Sequence, residues 1–156
     1  MNLQSGSLRN HPIGHATVTD AAALLAALQA AHRQIEAAST DLEDVSAAGA
    51  PDVAKFSMAR LRLGQAHLAR RPIAQKVYAV LVSTISADEA EAVRDLQRRD
   101  GELAQELSDH IRRWTPIAVQ ERWAAYCEAS VLIRGRLRAV LAMERSLIFP
   151  LLKRLA

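Results

Sequence analysis

Residues 86–116 read SADEAEAVRDLQRRDGELAQELSDHIRRWTP and carry the start and end of one helix and the start of the next. Ser86-Ala-Asp-Glu89 is a capping box: a serine hydroxyl can accept from the third helical N–H while the glutamate reaches back to the serine N–H. Behind it Val93, Leu96, Leu103 and Leu107 recur at three- and four-residue spacing, which predicts one amphipathic helix to about Arg113. Thr115-Pro116 then supplies an N-cap and a first-turn proline, so a second helix begins as the first ends.

The same punctuation extends in both directions. Upstream, a helix from near Asp52 to about Thr84 places Phe56, Leu63, Ala66, Ile73, Val77 and Leu81 on one face, with Pro72 predicted to kink it. Before it, a helix capped by Thr19 or Asp20 runs to about Val45 with Leu28, His32, Ile35 and Leu42 aligned, and Gly49 and Pro51 mark the loop. Downstream of Pro116, Tyr126, Ile133, Leu137, Val140, Leu147 and Leu151 align along the last helix, and Pro150 is expected to bend or end its final turn. Four amphipathic helices with short connections predict an all-α, up-down-up-down four-helix bundle over 19–156. Residues 1–18, with Gly6, His11, Pro12, Gly14 and His15, read as an extended N-terminal arm.

Composition agrees with helix: half the residues are hydrophobic and only 4% are aromatic. The net charge of +3 comes from 20 basic and 17 acidic residues, too balanced to demand nucleic acid. It is unevenly spread. Residues 53–85 hold Lys55, Arg60, Arg62, Arg70, Arg71 and Lys76 and no acid, whereas 86–109 hold eight acids against three arginines, so the two segments can pair. A lone Cys127 excludes an internal disulfide and multi-cysteine metal sites. With no apolar leader and no run long enough to span a bilayer, the sequence reads as cytoplasmic, without membrane contact.

A bundle core accepts polar side chains only when they are paired or bound to metal. Five fall on or beside the apolar stripes: His32 between Leu28 and Ile35, His67 beside Ala66, Asp100 between Leu96 and Leu103, His110 between Leu107 and Trp114, and Glu144 between Val140 and Leu147. Imidazoles and carboxylates from several helices in one core are what iron-binding bundles use. Each also has a plainer reading: the histidines as hydrogen-bonded core residues, Asp100 as a surface or salt-bridged acid, and Glu144 as the partner of an arginine such as Arg71.

The segment from Arg138 to Leu152, with Glu144-Arg-Ser-Leu-Ile-Phe149-Pro150-Leu-Leu at its centre, resembles the last helix of the hemerythrin-like (HHE cation-binding) family. Leu28-Gln-Ala-Ala-His32 is similar to that family's first ligand segment, and His67-Leu68 to its second-helix motif. The passage from Leu103 to Trp114 and on to Trp123 and Tyr126 is similar to its third-to-fourth helix connection. The resemblance implies a hemerythrin-like bundle in which histidines and two bridging carboxylates hold a pair of non-haem irons, with His32, His67 and Glu144 as ligands and Asp100 and His110 as further candidates. Against it, Arg71 stands where the second-helix acid is expected and Val140 where a histidine should precede Glu144. Aligning the second helix by Tyr78 instead puts Ala69 and Ile73 at the ligand positions. Heights differ as well. At ~1.5 Å per residue, a turn at Pro116 places His110 and Glu144 roughly 33 Å apart along the bundle axis.

The sequence therefore predicts a non-enzymatic regulatory or interaction protein with an eroded di-iron site and no cofactor, Arg71 and Glu144 filling the vacated place. The basic face of residues 53–85 and the N-terminal arm are its candidate surfaces for a protein partner. The alternative is a non-haem iron protein that binds or senses oxygen or nitric oxide, or handles iron. No nucleophile–base pair, phosphate loop or dinucleotide fingerprint is present.

Overall fold

The computed structural model describes residues 18–156, with side chains from Asp20 onward. The arm expected at 1–18, with His11 and His15, lies outside the described residues apart from Val18, which opens the first helix. Every element described is helical: α1 (Val18–Ser46), α2 (Val53–Thr84), α3 (Ala87–Arg113), α4 (Pro116–Glu121), α5 (Trp123–Met143), a π-helical turn (Glu144–Ile148) and α6 (Phe149–Leu155).

Local chemistry sets most of these limits. Asp52 caps α2 by accepting from the Lys55 N–H at 3.2 Å. The Ser86 box forms in both directions, with the Glu89 N–H donating to Ser86 Oγ and the Ser86 N–H to the Glu89 carboxylate. Thr115 caps α4, and Pro116 sits in its first turn, where no N–H is needed. α2 continues through Pro72 as one helix.

Cross-helix pairs fix the directions. α1 and α2 run antiparallel, with Arg62 beside Asp41, and α2 and α3 likewise, with Gln97 donating to Gln75 and Arg60 reaching Trp114 and Ile111. Arg136–Glu106 and Arg154–Glu89 set α3 against the C-terminal helices, and Arg145–Glu36 and Arg138–Glu43 close the ring onto α1. Such exposed pairs contribute little stability each but report register. Inside lie Leu28, Ile35, Leu42, Leu63, Val77, Leu81, Val93, Leu96, Leu103, Leu137, Ile148 and Leu152.

Three expectations are corrected. Phe56, Leu63, Val77 and Leu81 lie on the buried face of α2 as expected, but Ala66 and Ile73 are at its half-buried edge, and His67, Arg70 and Ala74 take the centre. The last helix is not continuous from Pro116: the chain breaks at Arg122 (φ −134°, ψ 50°) and restarts as α5, with the Arg122 guanidinium 4.8 Å above the Trp114 ring. The six bases of 53–85 do not form one exposed face, because Arg70 is buried and Arg60 binds the end of α3.

Candidate functional site

Four of the charged or titratable residues that fold inward, His32, Arg70, Asp100 and Glu144, form one layer across the core. Glu144, fully buried where α5 passes into the π turn, is its hub. Its Oε2 accepts from His32 Nε2 on α1 at 2.5 Å, and its Oε1 accepts from both the Arg70 guanidinium and the Tyr78 hydroxyl on α2. The second arm of the Arg70 guanidinium donates to Asp100 Oδ1 on α3. Four helical segments are thus joined through one arginine and one glutamate, both without solvent exposure.

The electrostatics follow from that geometry. Burial pushes the Glu144 carboxyl up, but His32, Arg70 and Tyr78 together outweigh it and hold it below the ordinary carboxylate range. Burial disfavours the Arg70 charge, yet Glu144 and Asp100 more than compensate and keep the guanidinium protonated. Asp100 is raised by burial in spite of Arg70; only one of its oxygens is paired, and Oδ2 has no hydrogen-bond partner. Burial and the two carboxylates push the Tyr78 hydroxyl far above its usual value, so it stays protonated and donates to Glu144.

The structure brings His32, Asp100 and Glu144 into this layer. His67 lies beside it, one turn from Arg70, buried, with neither ring nitrogen hydrogen-bonded; burial and then Arg70 and Arg71 depress it to about 4, which leaves the ring neutral at pH 7. His110 is elsewhere, packed 5.8 Å from the Tyr126 ring near Arg60 and Trp114. It stands ten residues beyond Asp100 on α3, about 15 Å along the helix. Asp100 is a salt-bridged acid, not a surface one, and the arginine that meets Glu144 is Arg70, not Arg71. Sequence reasoning missed Arg70 and Tyr78. The signal for Arg70 was present in the 63-67-70-74-77-81 spacing, a stricter helical repeat than the one through Ala66 and Ile73, and Tyr78 stands four residues after Ala74 on the same side.

This donor set does not fit a pair of irons. Glu144, the carboxylate that would bridge them, is already the acceptor for three donors, and a permanently charged guanidinium lies between it and Asp100. At an effective dielectric of 20, each unit of like charge placed ~4 Å from that guanidinium costs ~4 kcal/mol, doubled for a divalent ion. Among the described residues no group of three or more His, Cys, Asp or Glu side chains is disposed to hold a metal. Compared with protein-family models, with curated proteins and with solved structures, the chain matches none.

Proposed function

We propose that the chain is an up-down-up-down four-helix bundle of hemerythrin type whose metal centre has been replaced by an internal ion-pair layer, and that it acts as a non-enzymatic regulatory or interaction protein. The observation that carries the reading is Arg70: a guanidinium with no solvent exposure, bound to Glu144 and Asp100 from two other helices. It supplies the positive charge that two carboxylates facing one core require. Arg70 offsets one of those two charges, His32 and Tyr78 hydrogen-bond Glu144, and these donors and acceptors hold the helices in register rather than poise a reaction.

A second reading keeps one metal, taken by His67 and the open oxygen of Asp100. Its support is that both ring nitrogens of His67, and Asp100 Oδ2, lack hydrogen-bond partners. The absorption spectrum of aerobically purified protein, recorded before and after nitric oxide, separates the two. A featureless near-ultraviolet and visible spectrum that nitric oxide leaves unchanged is the expected result; oxo-iron or iron–nitrosyl bands would establish the second reading.

A further inference from the structure

A second feature lies beside the ionic layer, in the half of the molecule that holds His110. Between α2, α3 and α5 a cavity of about 230 Å³ opens, walled mainly by Leu63, Leu107, Ile133 and Leu137. Its ionisable lining is one-sided: Arg60, Arg71, Arg134, His67 and His110 border it, and no carboxylate does. Two of the arginines are engaged. Arg60 donates to the carbonyls that end α3, and Arg134 to Ser130, with Glu43 at 3.6 Å.

His67 and Arg71, one turn apart on α2, are different. His67 is 6% exposed with both ring nitrogens unpartnered, and the buried Nε of Arg71 has no hydrogen-bond partner. Among the described residues Arg71 makes no hydrogen bond or ion pair, although it is close enough to favour the charged form of Asp100. An unpartnered histidine in an apolar wall is costly unless something meets it. A hydrocarbon alone would fill the walls and leave His67 and Arg71 unmet. A phosphate dianion would bring two charges to one unengaged guanidinium and bury them in leucine.

We propose that this cavity binds a small apolar monocarboxylate, its carboxylate held by Arg71 and His67 and its hydrocarbon among Leu63, Leu107, Ile133 and Leu137. Scaling from an engineered apolar cavity of about 150 Å³ that holds benzene, the space takes about nine non-hydrogen atoms, the size of benzoate or octanoate. The inference takes from the preceding reading only that His67 is not a metal ligand.

The test is calorimetric titration of the full chain at pH 7 with octanoate and benzoate, against 1-octanol and benzyl alcohol. Expected is saturable binding of the carboxylates below millimolar Kd, about tenfold or more tighter than the alcohols. Arg71→Gln should abolish that preference, and Gly64→Leu should block both classes. Gly64 lines the cavity and a Cβ there meets nothing within 4 Å, so the leucine starts from an uncrowded position, and the variant's helical circular dichroism is compared with that of the unmodified chain. Absence of saturable carboxylate binding at millimolar concentration would overturn the proposal. Equal binding of alcohol and carboxylate would overturn it too. If Arg71→Gln fails to fold, the carboxylate-to-alcohol ratio of the unmodified chain and the Gly64→Leu block decide it. Iron content measured on the titrated sample reports on the metal-free reading separately, so either can fail alone.

Discussion

Arg70 carries more of this molecule than its position in a basic segment suggests. Removing one partner from a buried ionic cluster leaves uncompensated charge, a loss of about 3–5 kcal/mol, whereas replacing the whole cluster with apolar or neutral groups of similar volume is often close to neutral. Arg70→Met should therefore lower stability by that amount in urea denaturation, and adding Asp100→Asn and Glu144→Gln should recover most of it. If the triple variant is no more stable than the single one, the cluster does not act as a unit. His67 gives a pH signature. Its pKa is depressed to about 4 in the folded chain, by burial first and then by Arg70 and Arg71, against ~6.5 unfolded. Between those values the unfolded chain holds the extra proton, so stability falls as pH drops, by about 2 kcal/mol between pH 7 and 5. His110, depressed to about 4 by burial, Arg60 and Arg113, acts in the same direction. Denaturation at the two pH values should show the loss, and His67→Leu should remove its share. At this scale the sequence was half legible. His32, Asp100 and Glu144 stand out as polar residues on apolar stripes; Arg70 did not, because a basic run reads as a solvated face until the spacing of its neighbours is counted.

The helices themselves show which signals are local. The capping box, the Asp52 and Thr115 caps and the Gly49–Pro51 loop depend on neighbours within one turn, so they are readable in the chain and present in the fold. Ser86→Ala should cost about 1 kcal/mol, measured as a lowered midpoint, because it removes the first partner of α3. Gly64→Ala on α2 should stabilise by about 0.5–1 kcal/mol, since the added Cβ meets nothing and a helical glycine is entropically costly. Non-local effects were opaque. The break at Arg122, where the guanidinium lies over Trp114, carries neither proline nor glycine to announce it. The π turn is partly legible through Pro150, which has no N–H to offer the carbonyl of Ser146; the Phe149 N–H bonds to the Glu144 carbonyl, widening the turn that begins at the hub.

For the molecule as a whole, the Arg122 break corrects the heights. Taking the last turn at Pro116 separated α3 from Glu144 by many residues, but the helix that packs back on α3 starts at Trp123. Residue 122 lies midway between 100 and 144, so Asp100 and Glu144 share a level and Arg70 spans them. His110 remains about 15 Å along α3, in the half of the molecule that holds Trp114, Tyr126 and the cavity. The expected pairing of basic 53–85 with acidic 86–109 is realised sparingly, through Arg70–Asp100, while most of those acids meet arginines of α3 itself or of the C-terminal helices. No described helix is long and apolar enough to cross a membrane. If Arg70 takes the place of metal charge, as proposed, the purified protein holds no stoichiometric metal. The most direct test is elemental analysis of the full chain expressed in iron-replete medium and purified without chelator. Iron, manganese and zinc far below one per chain are the expected result; one or two irons per chain, bound stoichiometrically, would overturn the proposal.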